Sequence, residues 1–181
     1  MPFTHETSSP QPRKAHSMTN NQLTAPEIVA LLNLQPLDHE GGMYRQTHIR
    51  TGPVSSTTAI YYLVTQDSFS SLHRLNHDEL FHFYLGDPCE MVTFRDGEQP
   101  AITRLGQDIR RGERVQHLVP AGTWQGTRLV EGGSFALFGT TMTPGFDPRG
   151  FEAADESILD VIDDEHRSLV RRYLPSALGR H

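Results

Sequence analysis

The residues best suited to chemistry lie in one stretch, His73 to Gly86, which contains His73, His77, Glu79 and His82. In this stretch a polar turn joins two apolar segments. An imidazole and a carboxylate that meet across such a turn can bind a metal ion, or can act as a base with an orienting partner. We expect His73 and Glu79 to form this pair, because a carboxylate buried without a partner or purpose is costly.

Strand alternation predicts which of these side chains share a face. Successive side chains of a strand point to opposite faces, so Glu79, Phe81 and Phe83 belong together. If Glu79 faces the interior of a barrel, the two phenylalanine rings line the same cavity. His82 then points away from it, and we interpret His82 as a structural histidine held between sheets.

A second stretch repeats this layout, with Gln116 on a strand, a Pro120-Ala-Gly122 corner, and then Trp124 and Gln125. Trp124, the only tryptophan, is either a packing anchor or a surface on which a ligand stacks. Glutamine side chains donate and accept hydrogen bonds, and therefore suit a sugar or a nucleobase edge. The predicted ligand-binding residues are Tyr44, Tyr61, Phe81, Phe83, Gln116, Trp124 and Gln125.

The elements that would position these residues are short strands separated by turn residues, without helices between them. This pattern indicates an antiparallel sandwich or barrel, because a parallel sheet would need crossover helices for which the region has no room. The predicted strands are Tyr44–Arg50, Thr57–Val64, Ser68–Arg74, Glu79–Leu85, Glu90–Phe94, Ala101–Leu105, Arg114–Val119, Trp124–Val130 and Ser134–Thr143.

The rest of the chain divides into a tail and flanking helices. Residues 1–22 are polar and rich in Pro, Ser and Thr, so we predict a disordered N-terminal tail. Residues 23–181 form one predicted domain, with the barrel at about 43–147. A short helix follows the cap residue Thr24, and one or two helices are expected at about 155–175, from Glu156–Ile162 and Glu165–Leu174.

The composition limits the classes of partner that we expect for this chain. The chain has 181 residues and a net charge of −6 without a block of Lys and Arg, which argues against nucleic acid as a main partner. It has no apolar run of membrane-spanning length and no secretory h-region. The single cysteine, Cys89, cannot form an internal disulfide. We therefore expect a cytoplasmic protein without a membrane partner.

Taken together, the two stretches resemble the motifs of the cupin superfamily. In the first motif, His73 and Glu79 fall at positions that bind metal in many cupins, whereas Leu75 replaces the second histidine. In the second motif, Gln125 stands where a metal-binding cupin has histidine.

The chain resembles more closely the small single-domain cupins of unknown function, over nearly its whole length after the tail. The resemblance implies an all-β, double-stranded β-helix (a jelly-roll barrel), usually a homodimer, with a ligand pocket inside. The resemblance also implies similarity to sugar-nucleotide epimerases, but it implies no settled activity. The shared segments are Glu40-Gly-Gly-Met-Tyr-Arg45, Ser70-Ser-Leu-His73-Arg74, Asp78-Glu79-Leu-Phe-His82, Gly86-Asp-Pro88, Gln116, Val119-Pro-Ala-Gly-Thr-Trp-Gln125 and Thr143-Pro-Gly-Phe-Asp147.

The first functional hypothesis is a metal-independent isomerase or epimerase acting on a sugar, a nucleotide sugar or a similar polar ligand. In it His73 is the base, Glu79 its orienting partner, and Tyr44 or Tyr61 the acid that returns the proton.

Two alternatives stay open, so the sequence leaves undecided whether the chain is an enzyme. One is a non-catalytic protein that binds a small molecule such as a sugar or nucleobase. The other is a dioxygenase or lyase with a divalent transition metal on His73, Glu79 and Gln125. Two strong ligands and a weak amide oxygen would hold such an ion poorly, so we expect no cofactor.

Overall fold

The computed structural model describes residues 23–52 and 56–177. The predicted tail, residues 1–22, lies outside the described residues. The first element, α1 (Ala25–Leu32), begins at Thr24, whose side chain accepts a hydrogen bond from the backbone of Glu27 while the Glu27 carboxylate binds the Thr24 backbone. This reciprocal cap satisfies backbone groups that a helix start leaves free. The predicted short helix is therefore present.

Two antiparallel sheets make up the body of the described chain. Their hydrogen-bonded orders are β1-β2-β3-β10-β5-β8 for the larger sheet and β11-β4-β9-β6-β7 for the smaller one. The strands are β1 (Gln35–Pro36), β2 (Met43–Arg50), β3 (Thr57–Thr65), β4 (Ser70–Leu75), β5 (Glu79–Gly86), β6 (Cys89–Phe94), β7 (Ala101–Leu105), β8 (Gln116–Val119), β9 (Trp124–Leu129), β10 (Phe135–Met142) and β11 (Phe151–Ala153).

This arrangement is the predicted all-β jelly-roll barrel, and each predicted strand is present within two residues of its expected bounds. Two strands were not predicted, β1 and β11, with two and three residues respectively. Such short segments carry too few residues for an alternating pattern to be visible. Strand β11 matters for the site, because it pairs with β4 and sets Ala153 opposite His73.

The core between the sheets follows from strand alternation. On β5, Glu79, Phe81 and Phe83 are buried while the residues between them are more exposed, as predicted. The ring of Phe138 on β10 meets the rings of Phe81 and Phe83 edge-on, with centroids 6.0 and 5.3 Å apart. Side chains from the smaller sheet, including Met91, complete this core cluster.

The C-terminal segment covers the outer face of the smaller sheet. It contains a 3₁₀ helix (Glu156–Asp160) and α2 (Asp164–Arg171), where one or two helices were predicted. Val170 and Tyr173 are fully buried there, in one cluster with Trp124 of β9. No helix in the described ranges is long and apolar enough to cross a membrane.

Candidate functional site

A cavity of about 790 Å³ opens at one end of the barrel, where β3 and β5 begin and β4 and β10 end. Its volume lies within the range of small-molecule pockets. The polar lining residues are Gln35, His39, Glu40, Tyr44, Gln46, Thr58, Glu79 and Thr140. The apolar lining residues are Leu37, Ala59, Ile60, Leu75, Met142, Phe146, Pro148, Phe151 and Ala153.

Glu79, the first residue of β5, lines this cavity although only 8% of it is exposed. Burial raises the pKa of Glu79 to about 6, and the carboxylate of Glu40 raises it as well, while His73, Thr140 and Gln125 oppose the shift. A general base works best when its pKa is close to the working pH. Glu79 therefore has the position and the basicity that proton transfer to and from a ligand requires.

His73 on β4 is fully buried and is absent from the described lining of the cavity. Its Nδ1 lies 2.8 Å from the backbone carbonyl of Ser71, which can only accept. Nδ1 of the neutral ring therefore carries the hydrogen, and Nε2 keeps its lone pair. The ring also stacks on Phe151, with centroids 5.2 Å apart and 22° between the planes.

Gln125 on β9 links His73 of the smaller sheet to Glu79 of the larger one. Its Nε2 donates to Glu79 Oε2 at 2.8 Å and lies 3.4 Å from Nε2 of His73. The two amide hydrogens thus match one carboxylate oxygen and one imidazole lone pair. The structure therefore differs from the prediction that Glu79 orients His73, because Ser71, Phe151 and Gln125 contact the ring.

The same geometry tests the divalent metal that many cupins bind. The amide nitrogen of Gln125, which has no lone pair free for coordination, faces both His73 and Glu79. Across residues 23–52 and 56–177, no group of three or more His, Cys, Asp or Glu side chains is placed to hold a metal ion. In this arrangement the amide nitrogen of Gln125 is not a ligand, so of these three predicted positions only His73 and Glu79 offer a donor atom to a metal.

Glu40, in the loop before β2, is the functional candidate that sequence reasoning missed. Its Oε1 accepts a hydrogen bond from Ser70 Oγ at 2.8 Å, and its Oε2 lies 3.9 Å from Nε2 of His73. Its backbone carbonyl accepts from the N–H and the hydroxyl of Ser71, at 2.8 and 2.7 Å. The shared Glu40-Gly-Gly segment was a signal, but no chemical role had been assigned to its carboxylate.

The two glycines after Glu40 allow the loop to lie close to β3. The hydroxyl of Tyr62 donates to the Gly41 carbonyl at 2.9 Å. Gly42 has φ +74°, and a Cβ there would come within 2.7 Å of the Tyr62 ring. Only glycine combines that backbone conformation with that clearance. The loop is thereby held where Glu40 reaches the cavity.

The predicted ligand-binding aromatic residues separate into two groups. Tyr44 lines the cavity. Tyr61 makes an edge contact with Tyr84 at 6.2 Å, and the Arg45 guanidinium lies 5.2 Å from its ring. Phe81 and Phe83, placed in the cavity by the sequence argument, belong instead to the core around Phe138, because the space behind Glu79 is filled by side chains of both sheets.

The remaining predicted contacts also lie away from the described lining of the cavity. Gln116 meets His82 Nδ1 at 3.1 Å on the other face of β5. Trp124 donates from its indole nitrogen to Asp96 at 2.9 Å, and Arg74 lies 4.5 Å from its ring centroid. Of the two interpretations of Trp124, the packing anchor agrees with this placement.

The raised pKa of Glu79 predicts that its ionisation destabilises the fold. Between pH 4.5 and about pH 6, Glu79 keeps its proton in the folded chain but loses it in the unfolded chain. This difference in pKa stabilises the folded chain with protonated Glu79 by about 2 kcal/mol. This stability is present below about pH 4.5 and is lost as pH rises through about 6.

We therefore expect Glu79→Gln to be more stable than the wild type by up to about 2 kcal/mol near pH 7.5, and equally stable near pH 4. Urea unfolding at both pH values measures the difference. Glu113→Gln is the matched control, because Glu113 is also 8% exposed but accepts from the Asp108 backbone away from the described cavity lining. An equal gain in both variants would contradict the assignment to Glu79.

The family model described as "Cupin superfamily (DUF985)" matches residues 26–154. Uncharacterized protein YML079W of Saccharomyces cerevisiae is 29% identical over 97 residues, which is 51% of this chain and 48% of that protein. The chain thus spans about half the length of this curated relative.

Solved structures extend the similarity over most of the chain. A hypothetical protein from Leishmania major is 26% identical with a TM-score of 0.74, covering 84% of this chain and 99% of that one. Protein SO0799 from Shewanella oneidensis is 27% identical with a TM-score of 0.77, covering 84% and 98%. A mutant of Bacillus subtilis oxalate decarboxylase, 12% identical with a TM-score of 0.53 over 82% of this chain and 37% of that one, shares the fold alone.

Proposed function

The chain belongs to the family described as "Cupin superfamily (DUF985)", and we propose that it is a metal-independent acid–base enzyme that isomerises or epimerises a small polar molecule. One observation carries the proposal: a nearly buried carboxylate, Glu79, lines a cavity of ligand size with its pKa raised to about 6. Structural carboxylates are more often exposed or paired with a cation. A carboxyl group with a raised pKa in a cavity is typical of a proton-transfer site.

In the proposed reaction, the Glu79 carboxylate removes a proton from a carbon next to a carbonyl group of the ligand. The C–H bond breaks, its electron pair becomes part of an enolate, and Glu79 becomes the carboxylic acid. Tyr44, which also lines the cavity, returns a proton to carbon from its hydroxyl. Exchange with solvent then restores both residues, and the product differs only in the position or configuration of hydrogen.

The proposal changes the roles expected from the sequence. His73 is a positioning residue here, because it is fully buried and contacts the Gln125 amide that binds Glu79. Tyr44 is preferred over Tyr61 as the acid, since Tyr61 packs on Tyr84. The small-molecule partner belongs to this proposal, and the homodimer implied by the resemblance stays a prediction.

Solvent exchange tests the reaction without knowledge of the product. Sugars, amino sugars, nucleotide sugars and keto acids are incubated with the protein in D₂O and followed by ¹H NMR. We expect at least one compound to lose a C–H signal next to its carbonyl group, at a rate proportional to protein concentration. Glu79→Gln serves as the matched control.

A compound that binds in the cavity and exchanges no proton would support the second candidate, a non-catalytic binding protein. The mix of apolar walls and a few polar groups favours that candidate as well, because binding sites need no base. Exchange at the same rate by Glu79→Gln would contradict the proposed base.

A further inference from the structure

We infer that the ligand of this cavity is a cation, a small molecule whose protonated amine binds between the carboxylates of Glu40 and Glu79. The inference rests on the proposed function for the location of the site, and it adds the chemical class of the ligand. It is carried by the charges and the walls of the cavity.

Glu40 and Glu79 both line the cavity, and neither forms an ion pair with Lys or Arg in the described chain. Within those ranges the lining includes no Lys or Arg, and His39 is its one basic side chain. The hydrogen bonds to the two carboxylates come from neutral groups, including Ser70 and Gln125, and Nε2 of His73 lies 3.9 Å from Glu40. An ammonium group would supply the missing positive charge, and hydrogen bonds with an ionised partner are stronger than neutral ones.

The walls point in the same direction. Tyr44, Phe146 and Phe151 line the cavity, and 46% of Phe146 is exposed, so its ring is accessible to a ligand. The face of an aromatic ring attracts a cation, and its hydrocarbon surface packs on the apolar part of a ligand. Aromatic rings beside carboxylates are therefore the chemistry that recognises an organic amine.

The charge of the cavity disfavours anionic ligands. A phosphate or carboxylate group in this cavity would lie beside Glu40 and Glu79 and find no guanidinium or ammonium in the described lining. Placing a charge next to like charges away from water is costly. Amines, including amino sugars, are thereby favoured over the nucleotide sugars that the sequence alone leaves open.

Ligand binding should also depend on pH with a definite sign. A cation binds the ionised form of Glu79, so affinity should rise as pH increases through about 6 and level off above it. The titratable groups facing Glu79 are Glu40, His73 and Tyr62, and His39 lines the same cavity.

Matched sets of probes test the charge directly. Each set has one body with a cationic, a neutral and an anionic group: glucosamine, glucose and glucuronate; tyramine, tyrosol and 4-hydroxyphenylacetate; benzylamine, benzyl alcohol and benzoate. Ligand-observed NMR at about pH 7.5 gives the dissociation constants. We expect the amine to bind at least about ten-fold more tightly than its neutral partner in one or more sets, about 1.4 kcal/mol.

Variants assign the effect to the carboxylates. Glu40→Gln and Glu79→Gln should each lower affinity for the amine about ten-fold or more, because each removes a charge-assisted contact. Glu98→Gln, an exposed acidic residue away from the described lining, should change affinity less than two-fold. Near pH 5 the wild type should bind the amine more weakly than near pH 7.5.

Equal or tighter binding of the neutral or anionic members, or no amine bound at about 10 mM, would overturn the inference. The outcomes separate it from the proposed reaction. Proton exchange on a neutral or anionic compound would leave the acid–base function in place and remove only the cationic class. Tight amine binding without exchange on any compound would keep the class and contradict the reaction.

Discussion

Glu79→Gln is expected to lower kcat for proton exchange on a substrate found by the solvent-exchange screen by about 10²–10⁴-fold, the usual contribution of a general base. The amide has nearly the shape of the carboxylate and can still accept the hydrogen bond from Gln125, so the fold should be kept. What is lost is the basic carboxylate that removes the proton. Initial rates by NMR at about pH 7.5 measure the change.

Two further measurements define that loss. In the wild type, kcat/KM should rise with pH through about 6, because Glu79 of the free protein must be ionised to act as a base. Glu113→Gln, the control buried outside the described cavity lining, should keep kcat within about two-fold. A Glu79→Gln rate within ten-fold of the wild type would assign the base to another residue.

Phe138→Ala is expected to reduce the free energy of unfolding by about 3–5 kcal/mol, the range for a fully buried phenylalanine. The Phe138 ring is in edge contact with Phe81 and Phe83, so its removal leaves a cavity that both rings border. Urea unfolding near pH 7.5 measures the loss of stability. The affinity for a cavity ligand is measured on the protein that remains folded.

Phe138→Leu is the matched control and should cost less than about 1.5 kcal/mol, because most of the volume is kept. Ligand affinity should be unchanged in both variants, since Phe138 and its two partners belong to the core and are absent from the described cavity lining. A loss of stability below about 1 kcal/mol for Phe138→Ala would contradict the core assignment. A strong loss of ligand affinity would instead indicate that these rings belong to the ligand site.

Local patterns in the sequence were sufficient to predict the nine longer strands, β2 to β10, and one face of β5. Period-two alternation follows from backbone geometry alone, so Glu79, Phe81 and Phe83 were correctly placed on the buried face. The helix start at Thr24 was likewise readable, because its cap chemistry involves residues only three positions apart. The motif resemblance added the jelly-roll barrel.

Which buried residues meet at the site was decided by the tertiary structure. Alternation predicts that Phe81 faces inward, but not that the interior is packed there and that the cavity lies beside Glu79. Phe151 reaches His73 through β11, a strand too short to show a pattern. Trp124 is placed by a C-terminal segment that packs on the opposite face of its sheet.

Glu40 shows the same limit most clearly. Its contacts with Ser70 and Ser71 join parts of the chain 30 and 31 positions apart, and its distance to His73 depends on how the loop lies over β4. The sequence by itself determined the nine longer strands, the buried face of β5 and the presence of a His73–Glu79 candidate pair. The tertiary structure decided that Glu79 and Glu40, rather than His73, face the cavity, because long-range packing sets which groups a ligand can reach.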